Sequence, residues 1–469
     1  MLFNDQLTWR ARRKTLDLAI AELADIMSED MDQVSRRLPA LAKYELRQMR
    51  LARELLRALR LFAAHEFEFF FNGFYGEPPQ LKPSPDYPPR YVLRTLLDQI
   101  AVDLSILQQA VAQRRLHGAQ STQQGDTLYI ADLLAEYALQ PAVTNHLLPG
   151  YAPVLTFLSR TTFTRLIPYH NAVLIGLTYA SMTSKDRRPT RDYLAIPHEV
   201  GHYVYQHGRL AGTEQLIYRW LQGQLRALGL ADDDWRVCWL EEMFADAYGL
   251  LVAGPVMTLD FQDLLTDNLP AHFQTGIDHH PIDALRPLIQ TALLRRFAGP
   301  NGTRRFVHAP DALDANWETW LARNREQFQT QTPHQTQFTL PGGERMSGAA
   351  ILQALAPVLD LIVTALGAAD GNVGKRKRTV WRPWTRDLAD SNVPVAKLYE
   401  FFTRRRFRMR ARRLHAVDEA GSHELLRTLE MCAAEMASGR VFEPDEWLPL
   451  FLFKSWSSEG DEADTFKVN

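Results

Sequence analysis

The sequence predicts a mostly α (α+β) protein with a small sheet. Three observations carry that expectation. Apolar residues recur at three- and four-residue spacing over the first 70 positions. The same period governs residues 192–297. Only short stretches near 154–159 and 172–180 are β-rich and apolar.

Leu16, Ile20, Leu23, Ile26 and Met27 form the first helical stripe. A second helix is expected from Leu38 to about Phe71, on Leu51, Leu55, Leu56, Leu59 and Phe62. Asn72-Gly73 ends it, and Pro78, Pro79, Pro83, Pro85, Pro88 and Pro89 keep the next stretch non-helical, because proline lacks the amide donor. The helical period returns from Arg90 to Ser121. Val173, Leu174, Ile175, Leu177 and Tyr179 read as a strand. Between Phe328 and Gly343 the segment FQTQTPHQTQFTLPGG reads as a polar linker. Beyond it the chain is again helical, interrupted from Gly371 to Pro394, and it closes on acidic residues Asp461, Glu462 and Asp464. These breaks divide the chain into an N-terminal helical region (1–77), a central domain (90–325) and a C-terminal helical region (345–469). No internal repeat is evident.

The 469 residues are 46 % hydrophobic and 23 % charged, which excludes disorder throughout. With 53 basic and 55 acidic side chains the net charge is −2, so the whole molecule is not a polycation made to coat nucleic acid. Cys238 and Cys432 are too few for a disulfide framework or a cysteine zinc knuckle, and they fit a reducing, cytoplasmic setting. Met1–Ile20 carries Arg10, Arg12, Arg13 and Lys14 without an unbroken apolar core, so no signal peptide is expected. The most apolar stretch, Ala349–Ala369, contains Gln353, Pro357, Asp360 and Thr364. A central aspartate is costly in lipid, so a buried helix is expected there and no membrane span.

Residues 198–202 read His-Glu-Val-Gly-His. On a helix, positions i and i+4 share a face, so His198 and His202 can reach one metal ion. Glu199, beside the first of them, can touch a metal-bound water without ligating. Pro197 suits a first helical turn. Paired histidines on a helix can equally be a solvated face. Zinc needs a third protein ligand, with a fourth position left for water. Glu242 and Asp246 share a face of the apolar helical pattern Val237, Leu240, Met243, Phe244, Ala247 and Leu250, and buried carboxylates need partners. Glu242 would coordinate zinc, and Asp246 would accept the spare ring N–H of a ligand histidine. The same pair would also suit a salt bridge to nearby arginines. In His279-His280-Pro-Ile-Asp-Ala-Leu-Arg286, His280 could donate to a developing oxyanion and Arg286 could pair with the carboxylates; a helix-capping turn is the plainer reading of His-His-Pro.

Taken in order, HExxH at His198–His202, ExxAD at Glu242–Asp246 and HPxxxxR at His280–Arg286 resemble the gluzincin zinc metallopeptidases, closest to the branch of the HtpX-type heat-shock proteases and the CAAX prenyl proteases. The resemblance covers roughly residues 150–300. It implies a zincin-like domain flanked by helical regions. His198, His202 and Glu242 are then the Zn2+ ligands, Glu199 the general base, His280 the transition-state histidine and Arg286 a support. Glu241 is a rival ligand, but only Glu242 has the family's spacing to Asp246. The family would also place Val173–Tyr179 as an edge strand beside the active-site helix, where an extended peptide substrate adds by backbone pairing. Unlike the membrane-embedded members, this chain has no convincing set of transmembrane helices. It also carries an extra helical stretch, Glu214–Leu228, between the second histidine and Glu242.

The expected function is zinc-dependent peptide-bond hydrolysis of a protein or peptide substrate. Two other classes stay open. One is a catalytically silent regulatory or binding protein on the same scaffold, against which the intact Glu199 argues. The other is a protease directed to nucleic-acid-associated substrates by Lys375–Arg378, near Trp381 and Trp384, and by Arg404, Arg405, Arg406, Arg408, Arg410, Arg412 and Arg413, interleaved with Phe407 and Met409. A solvated or salt-bridged helix face explains the same charge runs. Tyr203, Tyr205 and His207 are read as packing or rim residues.

Overall fold

The computed structural model describes residues 5–35, 41–114, 122–150, 152–167, 169–179, 191–266, 268–276, 279–297, 305–328, 332–368, 381–385 and 419–452. They are mostly helical, with one three-stranded sheet and one hairpin. The chain divides into two units, and not along the three expected regions. The first comprises residues 1–129, 152–179 and 410–469; the second comprises 130–151 and 180–409.

In the first unit, α1 (Asp5–Ser35), α2 (Leu41–Tyr75) and α3 (Pro89–Ala112) pack on a sheet of β1 (Val154–Ser159), β2 (Phe163–Leu166) and β3 (Val173–Thr178). α2 runs through Asn72-Gly73 rather than stopping there. Gly73 leaves room for the Leu81 side chain, and its carbonyl accepts from the Leu81 amide at 2.8 Å. The proline-rich stretch that follows is non-helical, as expected. Phe62, Phe67, Phe70, Phe71 and Phe74 form a buried aromatic stripe along α2. The C-terminal helices, Glu419–Ala437 and Pro444–Leu452, close over it. Trp447 stands edge-on to Phe70 and Phe74, and its indole N–H donates to the Lys82 carbonyl. Phe442 exchanges backbone hydrogen bonds with Gln80 and Lys82. The expected C-terminal region is therefore split, because its last described helices complete the core of the N-terminal ones.

The strand order is β1-β3-β2, with β1 parallel and β2 antiparallel to β3. Val173–Thr178 is thus central, which corrects the expectation of an edge strand: a neighbour already consumes its backbone groups on each side. The outer edge of β1 is blunted too. The Gln113 amide bonds both the N–H and the carbonyl of Leu158, at 2.7 and 2.8 Å.

The second unit is built around α8 (Leu240–Ala253), buried along nearly its whole length. The rest of α4 (Gln123–Thr144), from Ile130, also lies in this unit and accepts a hydrogen bond at the Ala138 carbonyl from the Tyr248 hydroxyl at 2.6 Å. Around α8 stand α5 (Ile196–His207), α7 (Trp235–Cys238), α9 (Val256–Leu265) and α10 (Arg286–Arg296), with α6 (Ile217–Ala227) packed on α5. They are followed by α11 (Ala309–Arg323), α12 (Arg325–Phe328) and α13 (Gly348–Ala365). The expected polar linker instead contains β4 (Gln337–Thr339), paired antiparallel with β5 (Arg345–Ser347). Its Pro-Gly-Gly is the hairpin turn, with Gly342 and Gly343 at φ 88° and 86°.

α13 is the one helix among the described residues long and apolar enough to cross a membrane. It packs against α6, α8 and α10, burying Ile351, Leu355, Val358, Leu359 and Ile362. Asp360 lies on its exposed side, paired with Arg296 at 2.7 Å. Trp381 is buried, its indole N–H on the Leu366 carbonyl, and Trp384 stacks on Tyr137. Lys375–Arg378, the run Arg404–Arg413 and the acidic tail lie outside the described residues.

A buried ion pair ties the sheet of the first unit to α3. Arg165 donates to Asp103 through Nε at 2.9 Å and Nη2 at 2.8 Å, and the Tyr169 hydroxyl donates to the other oxygen of Asp103 at 3.0 Å. Arg165→Ala strands a buried carboxylate and is expected to destabilise the protein by about 3–5 kcal/mol in chemical denaturation. Arg165→Met combined with Asp103→Leu should recover most of that loss.

Candidate metal centre

The His-Glu-Val-Gly-His segment forms the first turns of α5, with Pro197 inside the first turn, where its missing amide is harmless. α5 crosses α8 at very short range, and the second variable residue of the motif, Gly201, decides how short. A Cβ on Gly201 would lie 2.7 Å from the Ala245 Cα and 2.9 Å from its carbonyl oxygen. Backbone cannot swing aside as a flexible side chain can. The Gly201–Ala245 contact therefore lets the histidines of one helix meet the carboxylates of the other.

At that crossing His198, His202 and Glu242 are all buried, and one ligand atom from each lies within 4.8 Å of the others. The two imidazole Nε2 atoms are 3.2 Å apart. Glu242 Oε2 lies 3.5 Å from His198 Nε2, and Oε1 lies 3.3 Å from His202 Nε2. This group could hold a metal ion.

The far side of each ring is engaged as well. His198 Nδ1 lies 2.9 Å from Asp246 Oδ1, the contact expected of Asp246. His202 Nδ1 lies 3.1 Å from Glu241 Oε1, so the rival ligand turns out to be the partner of the second histidine. Gln206 Nε2 in turn donates to Glu241 Oε2 at 3.0 Å. Sequence reading missed this chain, although Gln206 stands four residues after His202 on the same face of α5.

Compared with family models, with curated proteins and with solved structures, the chain shows no match.

Arg286, at the start of α10, lies among the carboxylates. It donates to Asp246 through Nε at 3.0 Å and Nη2 at 3.1 Å, and Nη2 reaches Glu242 Oε2 at 2.7 Å. His280 is partly exposed, with Nδ1 3.4 Å from Glu242 Oε2. Glu199 is buried in the first turn of α5. Every residue expected at the site is thus gathered in the second unit. Tyr203 and His207 pack ring to ring, while Tyr205 packs on Tyr218 and Phe244, consistent with packing roles.

Electrostatics follow from burial and pairing. Burial alone would lift the Glu242 carboxyl, but His280, Arg286 and His202 hold it well below the usual range. Burial also acts to lift Asp246, and Arg286 and His198 outweigh it. Burial would lower the His198 pKa; hydrogen bonds to Asp246 and Glu242 outweigh that and raise it to about 10. The Arg286 guanidinium and the protonated His198 together face the two buried carboxylates.

Two outcomes are expected. Gly201→Ala forces α5 and α8 apart and should cost about 1–3 kcal/mol of stability, measured by denaturation, with weaker metal uptake. The second concerns pH in the presence of chelator. The fold keeps the His198 proton up to about pH 10, whereas the unfolded chain releases it near 6.5. That stabilisation is complete below 6.5 and is lost as pH rises toward 10, so the melting temperature of metal-free protein should fall across that window.

Proposed function

We propose that this chain is a zinc-dependent endopeptidase of gluzincin type, similar to the HtpX-type and CAAX prenyl proteases in its three motifs. The observation that carries the reading is the convergence of His198 Nε2, His202 Nε2 and the Glu242 carboxylate in one buried group, with a separate carboxylate behind each ring. The donor set fits zinc. Two imidazoles and one carboxylate match a catalytic site that keeps a fourth position for water. A carboxylate behind a ligand imidazole fixes its tautomer and orientation.

His198, His202 and Glu242 would hold the ion. Zinc, when bound, supplies a Lewis acid that polarises a carbonyl and acidifies water. With the ion bound, Asp246 and Glu241, beside Nδ1 of His198 and His202, would favour the ring protons there and leave the Nε2 atoms to the ion. Arg286 neutralises part of the carboxylate charge and fixes Glu242. Glu199 takes a proton from the attacking water and passes it to the leaving amine. His280, at the partly exposed edge of the site, donates to the oxyanion that forms as the carbonyl is attacked.

Purified Glu199→Gln protein should retain stoichiometric zinc, measured by elemental analysis, and lose cleavage of a proteome-derived peptide library by about 10²-fold or more. Wild-type-like cleavage by that variant would remove Glu199 from the role of base.

A further inference from the structure

We propose that Phe261 is a positioning residue of this centre, holding Arg286 and His198 in register with one aromatic ring. The inference rests on the metal-binding reading above. Phe261 lies on α9, outside all three motifs, and carries no polar group that would mark it in the sequence.

Its ring faces the Arg286 guanidinium, with Cζ 4.6 Å from the ring centroid. The same ring lies 5.7 Å, centroid to centroid, from the His198 imidazole, at an interplanar angle of 56°. One side chain therefore touches both the cation that fixes the third ligand and the imidazole that serves as the first.

The hydrogen bonds of Arg286 to Asp246 and Glu242 run in the guanidinium plane, through Nε and Nη2. They set where the donors point and leave the plane free to tilt about the bonded edge. A surface beneath the plane removes that freedom. An aromatic face does more than an aliphatic one, because its negative quadrupole attracts the cation, and more strongly away from water. Arg286 is only 6 % exposed. A tilt would carry Nη2 away from Glu242 Oε2, its 2.7 Å partner, and let the ligand carboxylate turn. Loss of the ring would also remove one surface packed on the His198 imidazole, leaving its position to the contacts of its two nitrogens with Asp246, Glu242 and His202.

The test uses full-length protein in four forms: wild type, Phe261→Tyr, Phe261→Leu and Phe261→Met. Zinc affinity is measured by chelator competition, and the ligand field by the visible absorption of the Co2+-substituted protein. Phe261→Tyr keeps the aromatic face and should match wild type in both. Phe261→Leu should bind zinc roughly 10- to 100-fold more weakly, as loss of an outer support does, with an altered Co2+ spectrum. Phe261→Met fills a similar volume without a ring and should behave like the leucine form, so it decides the matter if Phe261→Leu fails to fold. A general packing role would lower stability without moving the Co2+ spectrum. Folded Phe261→Leu or Phe261→Met with wild-type affinity and spectrum overturns this inference alone. Wild-type protein that takes up no metal overturns it together with the proposed function.

Discussion

Two carboxylates on one face of a buried helix cannot stand alone, and the second unit is arranged around that fact. Glu242 and Asp246 are one turn apart on α8, both out of water. Removing charge from water costs several kcal/mol per ion unless partners compensate. Arg286 supplies the fixed positive charge, and two imidazoles supply the rest of the shell. With Arg286 fixed between the two carboxylates, the histidines and Glu242 form a buried group that could hold a metal ion.

The carboxylates meet the histidines only because two helices cross without side chains between them. Gly201 and Ala245 set that distance, so the least reactive positions of the two motifs control the most reactive ones. Arg286 and Phe261 arrive from α10 and α9 to complete the enclosure. The geometry here is built in layers: the two histidines and Glu242, then the other carboxylates and the guanidinium, then an aromatic ring. The first unit obeys a different rule. Its aromatic stripe on α2 is covered by helices from the opposite end of the chain, and a buried ion pair together with Gln113 fixes its sheet to α3.

Much of the fold was legible in the sequence because helices and their caps are local. The stripes of α1, α2 and α3, the proline-rich gap and the apolar α8 were all readable from spacing. The candidate ligands were legible for the same reason, since i and i+4 spacing on one helix fixes which side chains share a face. Misreadings fell where a distant partner decided the outcome. Gly73 resembles a helix breaker until Leu81 packs against it. The Gln/Thr-rich stretch resembles a linker until β5 pairs with β4. The family resemblance implies an edge strand at Val173–Tyr179, and β2, a four-residue strand with no strong pattern, takes the free side of Val173–Thr178 instead.

The sequence by itself determined the helical character, the two histidines on one face and the two acids on another. It could not assign Glu241, because Glu241 and Glu242 are chemically identical neighbours, and only the approach of α5 to α8 turns one toward the Nε2 atoms and the other toward His202 Nδ1. It could not mark Phe261 or join the two ends of the chain in one core. Those outcomes depend on side chains brought together across long stretches of sequence, and periodicity carries information over only a few turns.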